Sequence, residues 1–496
     1  MGRHAPLRLS HVLGWLGWLG WLGGCAQIAG IDETTGPVTP DRVSLTVEEI
    51  LVGATIVREP FDLTGLTAQY AVADDAEPDG LKRVDAELTT PDTWSADIPE
   101  GTPPVFFDLK DPVRHEIDFA QRNVYYLNGR MQHLHPVAAP MGATLSVQAT
   151  LPAAYAANES LQLYTLGSWN VRGFSAAEVP MLGATAFGPV MFPFSSVTSI
   201  TGRPLEKLTT ADAVLLLRYV GNKLTGVMEA APFDQTGTDT VMGTMTAVAA
   251  DQTLTITVGP PAAVAARYAP ARPAMPTLSM AWYLHAAPGH EIANDNGPLL
   301  HAQGISMVDS GMVSAAYGNP FVAKGWPTVL TWSTQASRSY TPMGQTLSIT
   351  LTAVLNQVVE PTPNLTLDLP AGLPEVVTID GRPLSSDGLL MPKPTKAVKV
   401  TFVSGITNNT LYQLQLLEII PNAAGTALGQ KVILAAVGLK PEFTIPPEFL
   451  VAGHTYNFRA ICNQGGFPGA ARGDLRVREL PVASAYLDGG VFTVTP

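Results

Sequence analysis

Between Leu411 and Ile419 the chain reads LYQLQLLEI, with Tyr412, Leu414 and Leu416 at every second place and Gln413 and Gln415 between them. Side chains alternate between opposite sides with a period of two only along a β-strand, so this run buries one face and wets the other. The same alternation returns at Leu347, Ile349 and Leu351, and again at Val398, Val400 and Phe402. Short runs rich in Thr, Val and Leu recur throughout, while alanine-rich stretches are cut by Pro or Gly before they reach helical length. The pattern predicts an all-β protein built of tandem antiparallel β-sandwiches.

At 496 residues the chain exceeds one ordinary core, which predicts three or four domains. With 46% hydrophobic and 14% charged residues the composition is that of a folded chain, since disordered ones are poor in aliphatic residues and dense in charge. The formal net charge of −13 arises from 29 basic and 42 acidic residues without a basic block. A nucleic-acid backbone would be repelled by that field and find no patch to neutralise it, so nucleic acid is excluded as a partner.

The N-terminus carries a different kind of signal. Residues 1 to 11 hold Arg3 and Arg8 and no acid, and an apolar run from Val12 to Leu22 follows, inside the repetitive GWLGWLGWLGGCAQ. The run has the length of a secretory core and is too short to span a bilayer permanently. Its end, Leu22-Gly23-Gly24-Cys25, resembles the lipobox of bacterial lipoproteins. That resemblance implies a signal peptide over residues 1–24, acylation of Cys25 (palmitate among the chains) and stable attachment to the lipid bilayer, because more than one buried acyl chain passes the threshold of reversible binding. By the same resemblance Ala26 implies the outer membrane, with the body at its periplasmic face or on the cell surface. Residues 25–41 are polar and turn-rich and read as a flexible tether. The second cysteine, Cys462, then has no partner for an intrachain disulfide and reads as a small buried hydrophobe.

Beyond the tether the chain matches itself. PMGATLSVQATL (Pro140 to Leu151) returns as PMGQTLSITLTA (Pro342 to Ala353), and SITGRPL (Ser199 to Leu205) as TIDGRPL (Thr378 to Leu384). Each GRPL is followed by an alternating pair of runs, and LTAQYAV (Leu66 to Val72) can be laid against LSMAWYL (Leu278 to Leu284). These matches predict two repeated pairs of β-domains, at 42–140, 141–260, 261–341 and 342–496, with the Pro- and Ala-rich stretch from Gly259 to Pro276 as hinge. In the last domain Leu450, Gly453 and Tyr456 form the pattern L-x-x-G-x-x-Y ahead of an alternating strand. It resembles the tyrosine corner of fibronectin type III domains, which implies a phenol pinning the sandwich corner to the backbone. That family's early-strand tryptophan is missing here, so a generic immunoglobulin-like sandwich stays open beside it.

No nucleophile elbow, P-loop or H-E-x-x-H motif occurs. His290-Glu291 is not followed by a second histidine, and the Asn-Asp-Asn-Gly after it is turn chemistry. His133 and His135 share one face of an expected strand. A hairpin turn at Asn128-Gly129 would set them opposite Val124 and Arg122, neither of which is a metal ligand. Asp75, Glu77 and Asp79, closed by Gly80, have the spacing that opens a calcium loop, but the twelfth position is Ala86 and Pro78 stiffens the middle. They read either as a solvated acidic turn or as an irregular calcium site, the one cofactor the sequence suggests. Arg472-Gly473-Asp474 matches an adhesion tripeptide and reads as an ordinary loop. The sequons at Asn158, Asn364, Asn408 and Asn409 carry no weight in a bacterial lipoprotein. The resulting expectation is a non-catalytic binding or structural module whose partner is an envelope glycan or protein. The alternative is an exported hydrolase acting on polysaccharide or peptide, whose two carboxylates no spacing would reveal.

Overall fold

The computed structural model describes residues 41–496 apart from 53–55, 99–103, 111–114, 119–122, 129–136, 169, 200–204, 259–276, 288–296, 306–310, 342–344, 360–363, 368–373, 385–386, 405–410, 422–427 and 478. Among the described residues there is no α-helix. The helical turns are three-residue 3-10 segments such as Val322–Lys324 and Ala470–Arg472, so the protein is all-β, as the period-two runs predict.

Strand pairing groups the described residues into four sandwiches. Sandwich I contains β1 (Asp41–Val52), β2 (Thr67–Ala73), β3 (Leu81–Asp85), β4 (Thr93–Ile98), β5 (Pro104–Lys110), β6 (His115–Asp118) and β7 (Asn123–Asn128). Sandwich II contains β8 (Thr144–Thr150), β9 (Glu159–Leu166), β10 (Asn170–Gly173), β11 (Ala186–Pro193), β12 (Ala213–Val220), β13 (Lys223–Glu229) and β14 (Thr238–Thr244). Sandwich III contains β15 (Gln252–Val258), β16 (Thr277–Ala286), β17 (Leu299–Ile305), β18 (Gly311–Tyr317), β19 (Thr328–Tyr340), β20 (Leu347–Val358) and β21 (Asn364–Leu367).

All three share one wiring. In the small sheet the first strand lies between the fourth, antiparallel, and the seventh, parallel. In the large sheet the order is third, second, fifth, sixth, antiparallel throughout.

Sandwich IV contains β22 (Pro374–Ile379), β23 (Leu389–Pro392), β24 (Val398–Ser404), β25 (Leu411–Pro421), β26 (Leu428–Gly438), β27 (Glu442–Ile445), β28 (Thr455–Gly465), β29 (Val482–Asp488) and β30 (Phe492–Thr495). Its sheets are β22-β24-β27 and β26-β25-β28-β29, with β23 running parallel to β30. Counted from β24, the wiring is again that of the other three. The difference is that its small sheet is completed by a strand that precedes the unit, where I to III use one that ends it.

The burial follows the alternation. Tyr412, Leu414 and Leu416 are buried with Val398, Val400 and Phe402, while Gln413 and Gln415 stay half-exposed on the opposite face. Leu347 and Leu351 are buried as expected; the side chain of Ile349 lies outside the described ones. Sandwiches I and II each enclose their own core, around Trp94 and Tyr70 in I and around Phe187, Phe192 and Leu216 in II. The cores of III and IV merge into one apolar body holding Trp282, Trp332, Phe402 and Phe458, which also takes in Leu215, Leu217 and Tyr219 from the large sheet of II and Ala71 and Leu81 from that of I.

The large sheets also join edge to edge. Residue Lys223 of β13 pairs with His301 of β17, β20 pairs with β29 over Leu351 to Asn356, and β26 takes β6 as a parallel neighbour from Leu434 to Val437. The spatial order is therefore II, III, IV, I, with the first sandwich docked on the last. Only nine residue steps connect Asn128 with Val137, a reach of about 30 Å, so the two ends of this row must curl toward each other.

This pairing divides the chain differently from the expected repeat. PMGATLSVQATL forms β8, a first strand, whereas PMGQTLSITLTA runs into β20, a sixth strand that pairs with β19 along its whole length. Likewise Ala213–Val220 is a fifth strand, and Val398–Ser404 is paired as a first strand is. Strands β15 and β20 both belong to sandwich III, so its limits cross both boundaries drawn at 261 and 342. Any half-buried strand entered from a turn uses the same few residue types, so short words recur at non-equivalent places. The weaker match, Leu66 to Val72 against Leu278 to Leu284, does fall on equivalent second strands, β2 and β16.

Candidate functional site

Two of the segments singled out by sequence, the acidic loop and Arg472-Gly473-Asp474, lie where sandwich I meets sandwich IV, while the sequon residues Asn158 and Asn364 fall in sandwiches II and III. The acidic segment is the hairpin loop between β2 and β3. Its backbone closes on itself: Asp74 N–H donates to Gly80 O, Glu77 N–H to Asp74 O and Gly80 N–H to Glu77 O, with Gly80 in the left-handed region at φ 79°. The carboxylate of Asp74 accepts from Ala76 N–H at 2.9 Å, the self-bonding turn that aspartate favours. Asp75 and Glu77 point into solvent.

Asp79 is engaged differently. One of its carboxylate oxygens accepts from Leu81 N–H at 3.2 Å and the other from Arg83 Nη1 at 2.6 Å, and its backbone carbonyl accepts from Ala397 N–H of sandwich IV at 3.0 Å. Burial works against the charge of Asp79, but the Arg83 guanidinium and the Leu81 N–H together outweigh it and hold the carboxyl below the usual carboxylate range. The other arm of Arg83 reaches Glu448 of sandwich IV at 2.9 Å. The loop that resembles half a calcium site is thus also a docking element, with its most buried carboxylate committed to an arginine. Among the described residues no group of three or more His, Cys, Asp or Glu is arranged to hold a metal ion.

The second cluster is built on the loop from β28 to β29, which carries Arg472-Gly473-Asp474. Phe467, Ala470 and Leu475 pack with Leu411, folding this loop back onto the start of β25. The turn Ala470–Arg472 ends at Gly473 in the left-handed region, and Asp474 is chelated by Arg476 through Nε and Nη2, both at 3.0 Å. Hydrogen bonding from Arg476 is the largest cause of the lowered pKa of Asp474. Arg476 also reaches Glu48 of β1 at 2.8 Å, and Arg58 donates to the Arg476 carbonyl at 3.1 Å. An adhesion tripeptide is read through its free carboxylate; here that carboxylate is engaged within the loop.

Near this loop an apolar cavity of about 330 Å³ opens between III and IV, lined by Leu254, Val358 and Leu365 on one side and by Leu480 and Pro481 on the other. Cys462 is fully buried on β28 as a free thiol, the placement expected of a small core hydrophobe. Tyr456, at the start of the same strand, is buried, and its phenolic oxygen accepts from Val451 N–H at 3.0 Å, with Leu450 buried and Gly453 at φ 87°.

Cys25, His133, His135, His290, Glu291, Asn408 and Asn409 lie outside the described residues. Strand β7, which holds Val124, pairs in parallel with β1, while residues 130–135, its expected hairpin partner, are outside the described ones as well. Sequence reasoning missed Glu48, Arg58, Arg83, Glu448 and Arg476. Glu48, Arg58 and Glu448 meet their partners across hundreds of residues and leave no local pattern, whereas Arg83 and Arg476 stand four and two residues from Asp79 and Asp474 and were within reach of a local reading.

A scan against protein-family models and a search of curated proteins find no match to this chain.

Proposed function

We propose that the chain is a lipid-anchored protein of the bacterial cell envelope, held at the outer membrane through acylated Cys25, and that its sandwiches act as a non-catalytic binding or structural module. The observation that carries the module reading is the edge-to-edge union of the large sheets. Each seam adds main-chain hydrogen bonds between neighbouring units, and merged apolar cores such as that of III and IV resist relative motion. A stiff block of this kind suits the display of end loops, where side chains vary at little cost to the core. The lipobox pattern before a polar tether supplies the anchoring half of the reading.

Replacing Cys25 by Ser and fractionating the cells tests the anchor. The unmodified chain should stay with the membrane through a carbonate wash, and the variant should be released. Retention of the variant would overturn the acyl anchor. For the module, the chain from Thr39 onward is screened against cell-wall glycans and envelope proteins while calcium is titrated. Saturable binding without turnover is the expected result, and product release from glycan or peptide would favour an exported hydrolase instead. A melting temperature that rises with calcium would assign an ion to the loop of Asp75, Glu77 and Asp79.

A further inference from the structure

We propose that the outward-facing methionines of sandwiches II and III form a sacrificial and reversible oxidation site, whose thioethers consume a two-electron oxidant before it reaches the sulfur atoms of the core.

Methionine ranks among the residue types most often fully buried. Here the usual placement is inverted. Of the nine methionines with described side chains, five are exposed: Met141 and Met181 by 84% or more, Met312 by 73%, Met191 by 67% and Met242 by 55%. Four of these belong to sandwich II. Met191 on β11 stands across from Ser146, and Met242 on β14 across from Gln148, so the two flank β8 on the outer face of the small sheet. Met141 lies in the turn that leads into β8, and Met181 in the turn before β11. Met312 belongs to β18, the strand of III equivalent to β11.

The fold gives no reason for a thioether at these places. Other outward positions of these sheets carry polar residues, with Thr144 bonded to Thr238 in II and Thr255 to Ser314 in III, and threonine is a β-favouring choice for a wetted strand. What methionine adds is an accessible sulfur. Directly beneath the same sheet the core of II contains two further methionines, Met228 and Met245, each 2% exposed. Conversion of either to a polar sulfoxide would break the packing around Phe187 and Leu216. The thiol of Cys462, ordinarily the faster target, is shut away on β28, and burial pushes it up to about 12, which keeps it protonated.

The chemistry is complete with hypochlorous acid as the oxidant. The sulfur lone pair gains oxygen as an S–O bond forms and the O–Cl bond breaks; chloride leaves with the bonding pair and the proton passes to solvent. Sulfur is oxidised by two electrons and chlorine is reduced by two. Methionine sulfoxide reductases restore the thioether: two thiols supply two electrons and two protons and join as a disulfide, the S–O bond breaks and the oxygen leaves as water. Gln148 donates weakly to the sulfur of Met242 at 3.8 Å, which ties up one of its lone pairs, so Met242 should be the slowest of the five.

The test adds hypochlorous acid in rising molar ratio to the folded chain, followed by peptide mass mapping. Sulfoxide should appear at Met141, Met181, Met191 and Met312 first and at Met242 next, while Met228, Met245 and Met280 remain unmodified and the near-ultraviolet circular dichroism is unchanged. Reductase treatment should return the original mass. In a variant with all five exposed methionines changed to Leu, the oxidant dose that abolishes the native dichroism should fall by about half or more. Early sulfoxide at Met228, Met245 or Met280, loss of fold while only the exposed five are modified, or an unchanged lethal dose in the Leu variant would each overturn the proposal.

Discussion

Tyr456 shows how a single atom joins sequence to fold. Its ring fills the core beside Phe492, with centroids 5.8 Å apart, while its oxygen takes the Val451 N–H at the corner where the chain enters β28. Tyr456→Phe keeps the ring and removes the acceptor, so the expected cost is about 1 to 2 kcal/mol, read as a lowered urea midpoint with unchanged slope. An unchanged midpoint would mean that water satisfies Val451 equally well. This corner was legible in advance because leucine, glycine and tyrosine each answer a local demand: an apolar plug, a left-handed turn and a ring with a polar tip. By contrast, although Arg83 stands only four residues from Asp79, nothing near either announces Glu448 as the next partner in the chain. The acidic loop could be read for its composition but not for its allegiance, since an aspartate's partner is chosen by the fold around it.

At the level of elements, period-two alternation identifies strands but leaves their neighbours open. The buried faces of β24, β25 and β28 could be marked from sequence, because a strand with one wet side must alternate. Which strand lies beside which depends on contacts made across the whole chain. The parallel seventh strands and the placing of β20 in sandwich III were for that reason invisible. The loop from Gly318 to Trp326 is a similar case. It leaves β18, stacks Phe321 on Trp326 at 5.0 Å and sends Lys324 to Glu229 of sandwich II at 2.5 Å. Gly318 permits this route, because a Cβ there would stand 1.9 Å from the carbonyl oxygen of Ala249 on the connection from II to III. Gly318→Ala should cost about 1 to 3 kcal/mol by forcing the two backbones apart. Tryptophan emission offers a direct check, since Trp326 is buried in the native loop and should shift to the red as it becomes wetted. Native-like emission and stability in the variant would show that the connection yields without strain.

On the scale of the whole molecule, the joint between I and IV combines two ion clusters with a parallel strand pair. Magnitudes decide which of them holds it. The side chains of Glu48 and Arg476 are about a quarter exposed, so their pairing should contribute only about 0.5 to 1 kcal/mol. A double-mutant cycle on Glu48→Gln and Arg476→Gln should return a coupling in that range that fades in 1 M salt. The main-chain seam between β6 and β26 should hold regardless, leaving sandwich I protected from protease at high salt. Release of sandwich I by salt alone would instead make the ion clusters the principal bond.

That the first sandwich rests on the last also determines how load travels. Under the proposed anchoring at Cys25, a pull on the body enters through β1 and then divides, one part passing along the chain from Asn128 into sandwich II and the other crossing the β6 to β26 seam into the C-terminal unit. The unit farthest along the chain would then stand one step from the moored sandwich, as close as the unit that follows that sandwich in sequence.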